Sequence, residues 1–188
     1  MNQGTIKCMK YISKEERLNN ANDIDKLSEK CFPLCMNLIH RHINTYSHLM
    51  NFGRLQFTLF LKGTGLPVEE ALKYFQIKFE KKTSLEKFEK EYTYNIRHSY
   101  GLEGKKVNYL PYTCEKIFNL KQLNSNECHG CPFKNYSSDN LRKILKTCNL
   151  VPLDIEEVID RKNNCQYQLA CIKYFDVKFP NKLGEGIE

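Results

Sequence analysis

Apolar positions along the chain switch pattern several times. Residues 1–31 are polar and charged, with only a weak helical pattern around Ile24 and Leu27, and are expected to form a tail or linker remnant. From Phe32 the pattern turns helical: Leu34, Leu38 and Ile39 share a face with Cys35 beside it, and Pro33 suits a first helical position. Between Gly53 and Gly63, RLQFTLFLK places Leu55, Phe57, Leu59 and Leu61 in alternation, which reads as a strand. That run is too short and too apolar for its period to decide. Pro67 opens the clearest amphipathic helix, on which Val68, Ala71, Leu72, Phe75 and Phe79 form one stripe. Ser84 is expected to cap a short helix carrying Leu85 and Phe88, and Gly101 and Gly104 mark a turn. Thr113 is expected to cap a helix through Glu115 and Ile117, and Ser138 one bearing Leu141, Ile144 and Leu145. Pro152 and Asp154 open another with Ile155, Val158 and Ile159. The last helix carries Tyr167, Ala170, Cys171, Tyr174 and Phe175, and the chain from Pro180 is expected to fray.

Length and composition bound this picture. A chain of 188 residues predicts one domain, or two small lobes sharing a core, and 41% hydrophobic residues exclude a disordered chain. No run of roughly 18 apolar residues is present, so no transmembrane helix is expected, and the polar N-terminus argues against secretion. The net charge of +7 is concentrated: Cys35 to Thr113 holds 12 Lys and Arg against 7 Asp and Glu. A localised basic excess suits a polyanionic partner; an ordinary solvated surface is the alternative.

The densest chemistry lies between Tyr92 and Phe133. Tyr92, Tyr94, Tyr100, Tyr109 and Tyr112 interleave with Arg97, His98, Lys105 and Lys106. Aromatic faces stack on unpaired bases while cations neutralise phosphates, and Asn95 can donate to either. The competing reading is a tyrosine-rich core hairpin with a basic rim. His40, His42 and His48 each read as a surface or core histidine. The nine cysteines, an odd number without a signal peptide, fit a disulfide framework poorly. Cys128-His129-Gly130-Cys131 is a C-x2-C knuckle with no second pair to complete a zinc ribbon. Cys131-Pro132 matches, weakly, the cysteine–proline ending of ferredoxin-type cluster runs.

Longer motifs are more specific. FPLCM (Phe32 to Met36), GRLQF with LFLKG (Gly53 to Gly63), EEALKYF (Glu69 to Phe75), YTYNIRHSYGLEGK (Tyr92 to Lys105), HGCPF (His129 to Phe133) and YQLACIKYF (Tyr167 to Phe175) occur in this order. Together they resemble the C-terminal iron–sulfur domain of the large, regulatory subunit of eukaryotic-type DNA primase. The resemblance implies a mostly α-helical domain over residues 32–179, two small lobes around a buried cluster, with residues 180–188 as a frayed tail. It overrules the strand reading of Leu55 to Leu61. It implies a [4Fe–4S] cluster on Cys35, Cys114, Cys131 and Cys171, leaving Cys8, Cys31, Cys128, Cys148 and Cys165 as non-ligands.

The same resemblance implies a non-catalytic role: binding template DNA together with the 5′-triphosphate end of the RNA primer, before hand-off to the replicative polymerase. The family's contacts fall on His48, Arg54, Lys62, Tyr92, Tyr94, Asn95, Arg97, His98 and Lys105. A triphosphate requires convergent cations, and Arg54, Lys62 and Arg97 are expected to supply them. Implied partners are the small, catalytic primase subunit and DNA polymerase alpha in the full-length complex, with no membrane, in the nucleus. The N-terminal region by which family members join the small subunit is missing, so the chain reads as an excised domain. Three places depart from the family pattern. His48-Leu49-Met50-Asn51 stands where the family usually reads His-Leu-Arg-His, Phe57 where it often has tyrosine, and Phe75 where it often has tryptophan. The competing classes are a cluster-dependent repair or redox enzyme and a structural zinc module. No paired carboxylates suited to two-metal nucleotidyl transfer stand out.

Overall fold

Proline and small hydroxyl residues set where the helices begin. In the computed structural model, which describes residues 18–120 and 127–180, the chain forms α1 (Asp23–Cys31), α2 (Leu34–Tyr46), α3 (Asn51–Gly63), α4 (Val68–Phe79) and α5 (Leu85–Phe88). A π-helical turn (Glu89–Thr93) runs directly into α6 (Tyr94–Ser99), followed by α7 (Cys114–Phe118), α8 (Pro132–Asn135), α9 (Ser138–Thr147), α10 (Pro152–Asn163) and α11 (Tyr167–Lys178). The described residues contain no strand, and none of their helices is long and apolar enough to cross a membrane. Pro33 and Pro67 are the N-caps of α2 and α4, one position before the helix, and Pro152 opens α10. Ser84 and Thr113 cap as expected, accepting from Lys87 N at 3.3 Å and Lys116 N at 3.1 Å. For α9 the cap is Ser137, whose hydroxyl accepts from Asn140 N, not Ser138. The Ser138 hydroxyl donates instead to Asn163 Oδ1 at 2.8 Å, tying α9 to α10. The turn expected at Gly101 and Gly104 is present, with φ of 77° and 57°.

The helices pack in two groups around one continuous apolar core. Helices α1 to α6 form the first group and α8 to α11 the second, with α2 packing against α11 across them. The segment expected as a polar tail is in part folded into this core. Leu18, Ala21, Ile24 and Cys31 are buried, and Ala21 N donates to Glu70 Oε2 at 2.8 Å. On α1, Asp25 also meets the buried His40 at 2.7 Å and Lys78 at 3.1 Å. Burial holds the His40 imidazole below its ordinary pKa despite the Asp25 carboxylate. Few residues of α1 are apolar, so its sequence pattern is faint although its buried face is complete. Residues 1–17, with Cys8, and residues 181–188 lie outside the described residues.

RLQFTLFLK is helical. Phe57, Leu59, Phe60 and Leu61 are all buried, so α3 is apolar around most of its circumference and its sequence shows no helical period. Phe57 and Phe75 are both 0% exposed, within one aromatic cluster. Phe57 lies 6.3 Å from Phe32 and Phe60, 6.1 Å from Tyr74 and 6.4 Å from Phe75 between ring centroids. Neither ring offers a face to a base. Phe57→Tyr places a hydroxyl in this cluster and is expected to lower stability by about 1–3 kcal/mol, the cost of a buried unpaired polar group. A urea midpoint equal to or above the parent's would show that the hydroxyl finds a partner there.

Candidate nucleic-acid interface

Helix α3 has two working faces, set by helical spacing. Asn51, Arg54, Leu55 and Thr58 recur at i, i+3, i+4 and i+7 and face α6; Gly53, Gln56, Phe57 and Phe60 face the core and the cysteine loop. The α6 face carries Asn95, Ile96, His98 and Ser99, and between the two helices lies a cavity of about 190 Å³ lined by these eight residues.

Arg54 is the cation of this cavity. Its guanidinium donates to Leu49 O at 3.0 Å and Asn51 Oδ1 at 3.3 Å, and sits 4.8 Å over the Tyr92 ring. Burial lowers its pKa, which leaves it charged, because an arginine starts far above neutrality. Tyr92, expected to stack on bases, is 8% exposed; its ring packs edge-on against Phe79 at 5.1 Å and stacks on Phe88 at 5.7 Å. Its ring supports the Arg54 guanidinium. The π-helical turn that carries Tyr92 breaks the regular register just ahead of α6.

The other expected residues fall into distinct positions. Asn95 lines the cavity, its amide donating to Glu91 O at 3.0 Å, and His98 lines it as well. Tyr94 is 53% exposed and heads a ladder of rings, 6.0 Å from His98, which is 5.0 Å from Tyr109. Such an exposed ladder can receive an unpaired base. Lys105 is exposed on the following turn. His48 packs its ring 5.7 Å from Phe79, and burial, with the charges of Arg54, Lys82 and Lys87, lowers its pKa.

The expected convergence of three cations is not what the structure shows. Lys62 directs its ammonium to Asn108 Oδ1 at 2.7 Å, Tyr109 O at 2.8 Å and Ser99 O at 3.1 Å, which matches its three donors. It clasps the turn Gly101 to Tyr109 onto the end of α3. Arg97 pairs with Glu103 at 2.5 Å. Neither lines the cavity with Arg54. Tyr100 is likewise an anchor, donating its hydroxyl to Leu66 O at 2.8 Å. What sequence reading missed are Thr58 and Ser99. The signal was the spacing 51, 54, 58 on α3, hidden by the alternation of apolar residues through it.

The opposite face of α3 meets the cysteine loop. Gly130 has φ 79°, and its N–H donates to Gln56 Oε1 at 2.8 Å. Gly53 lies so close to this loop that a Cβ would overlap the Cys128 carbonyl. Cys35 and Cys128 line a small cavity together with His129, Gly130 and Pro132. The four expected ligands sit on separate helices: Cys35 in the first turn of α2, Cys114 at the start of α7, Cys131 as the N-cap of α8 and Cys171 within α11. Those elements are in contact: α11 packs on α2 and α8, Lys134 Nζ donates to Phe118 O at 2.9 Å, and Phe118 meets Tyr167 at 5.8 Å. Among the described residues, no three Cys, His, Asp or Glu side chains stand close enough together to hold a metal ion.

The donor chemistry nevertheless suits an iron–sulfur cluster: four thiols carried by helices that pack on one another. Burial raises the Cys131 pKa while the N–H groups of Phe133 and Lys134 oppose it, and burial pushes Cys128 up to about 11.

This is a mostly α-helical domain with a basic, amide-lined cavity joined through one helix to a cysteine-bearing loop. Residues 25–188 match the family described as the C-terminal domain of the large subunit of eukaryotic and archaeal DNA primase, and the chain belongs to that family. It is 41% identical over 165 residues to a probable DNA primase large subunit of Arabidopsis thaliana, covering 88% of this chain and 36% of that protein. It is 41% identical over 159 residues to the DNA primase large subunit of Homo sapiens, covering 84% and 31%, and 38% identical over 148 residues to that of Saccharomyces cerevisiae, covering 78% and 28%. The chain spans about a third of the length of these curated relatives.

Proposed function

We propose that this domain binds template DNA paired with the 5′ end of an RNA primer and holds the primer's 5′-triphosphate in the cavity between α3 and α6. One observation carries the reading: Arg54, Asn51, Asn95 and His98 line a single cavity, beside the exposed Tyr94–His98–Tyr109 ladder. Guanidinium and amide donors match phosphoryl oxygens, and the ladder suits an unpaired template base. The domain is non-catalytic and regulatory in this reading. Primer synthesis belongs to the small subunit, and the extended primer passes to DNA polymerase alpha in the nucleus. Cys35, Cys114, Cys131 and Cys171 hold a [4Fe–4S] cluster. Bound there, it would cross-link distant segments and carry electrons.

A duplex with a single-stranded template overhang and a 5′-triphosphate RNA end is expected to bind at least about tenfold more tightly than the same duplex with a 5′-hydroxyl. Fluorescence anisotropy at fixed salt measures the ratio. Both affinities should fall steeply between roughly 50 and 200 mM salt. Equal affinity for the two ends at one salt concentration would sink the triphosphate reading.

A further inference from the structure

Thr58 is the polar residue of the cavity whose hydrogen bonding the fold leaves incomplete. It is 1% exposed, it lines the cavity, and its Oγ1 has no hydrogen-bond partner. A threonine hydroxyl within a helix commonly donates to a carbonyl one turn back. Thr45 does so to Arg41 O at 2.9 Å, and Thr64 to Leu61 O at 2.7 Å. Thr58 makes no such bond, and burying a hydroxyl unpaired is unfavourable.

Several other polar groups of the lining are engaged. The Ser99 hydroxyl donates to Asn95 O at 2.9 Å, the Asn95 amide to Glu91 O, and Arg54 to Leu49 O and Asn51 Oδ1. The lining combines one guanidinium with amide and hydroxyl groups, and Thr58 follows Arg54 by one helical turn on the same face of α3. An oxyanion drawn to Arg54 supplies the missing acceptor, and an O–H donor to a charged oxygen makes a short, strong bond.

We infer that Thr58 is a specificity-determining residue of this cavity, its hydroxyl donating to a phosphoryl oxygen of the primer's 5′ end. This rests on the triphosphate reading above. It also assigns part of the recognition to a neutral donor on α3.

The test compares Thr58→Val, which keeps the shape, and Thr58→Ser, which keeps the hydroxyl, with the parent chain. Each is titrated with the 5′-triphosphate and 5′-hydroxyl duplexes, and its melting temperature is recorded. Thr58→Val is expected to lose about tenfold in affinity for the triphosphate duplex and to bind the hydroxyl duplex unchanged. Its melting temperature should equal or exceed the parent's, because an unpaired buried hydroxyl has been removed. Thr58→Ser should keep the parent's preference. A parent preference retained in full by Thr58→Val overturns the role of the hydroxyl alone. Equal loss for both duplexes also overturns it, since a merely structural change is then at work. Equal binding of both duplexes by the parent overturns the triphosphate reading and this inference with it.

Discussion

Cys131→Ser is expected to strip most of the iron and visible absorption from the protein and to lower its melting temperature sharply, while Cys128→Ser changes both little. The two residues share one short loop, yet their surroundings differ. Cys131 is the N-cap of α8, 7% exposed, with the backbone N–H groups of Phe133 and Lys134 directed at its sulfur. Serine is itself a favoured N-cap, so the substitution preserves capping of α8. A fall in stability therefore reports a lost metal ligand and not a lost cap. Cys128 has no such donors to offset its burial, and its thiol is pushed up to about 11. If the proposed four-thiolate site on Cys35, Cys114, Cys131 and Cys171 holds the cluster, it is full and leaves Cys128 no position. Metal binding that ties distant segments contributes directly to folding, so the loss is on the order of several kcal/mol. Iron and sulfide assays with the visible spectrum, taken anaerobically alongside thermal melts, read the asymmetry. Matched loss of metal in both variants would mark a local knuckle and overturn the four-cysteine assignment.

Gly53→Ala should destabilise the fold by about 1–3 kcal/mol, the range for overpacking a filled interior. In an exposed helix the same change would gain about 1 kcal/mol through helix propensity. Here the sign reverses, because the added Cβ would overlap the backbone carbonyl of Cys128, which no side-chain rotation can relieve. Relief requires α3 to move away from the cysteine loop. That movement also strains the bond from Gly130 N to Gln56 Oε1 at 2.8 Å and shifts Arg54 on the other face. Urea unfolding measures the effect. A midpoint above the parent's would mean that the loop yields freely and that the close approach is not a constraint.

Some of these features were legible in the residues alone. Pro67 with the stripe Val68, Ala71, Phe75 and Phe79 specified a helix and its buried face, because the period of a helix is written into its own sequence. Ser84 and Thr113 announced their caps for the same reason: a cap bond closes over three residues. The motifs from FPLCM to YQLACIKYF pointed to the family now shown by the match over residues 25–188.

Other features had no local trace. Ser137 and Ser138 are chemically equal as caps, and only the position of Asn163 on the next helix separates them. Arg54, Lys62 and Arg97 all read as phosphate binders, since a cation in sequence carries no record of its partner. Lys62 finds its acceptors at Ser99, Asn108 and Tyr109, and Arg97 finds Glu103, leaving Arg54 in the cavity. Tyr92 and Tyr94 stand two residues apart, and only packing against Phe79 and Phe88 buries one while the other stays exposed. By itself the sequence determined the helix opened by Pro67 and the caps at Ser84 and Thr113, because those depend on side-chain periodicity and bonds within a turn, and its ordered motifs determined the family. The tertiary structure alone decided which cation faces the cavity, which aromatic ring is open and which threonine lacks a partner. Each of those depends on what a distant segment places opposite the residue.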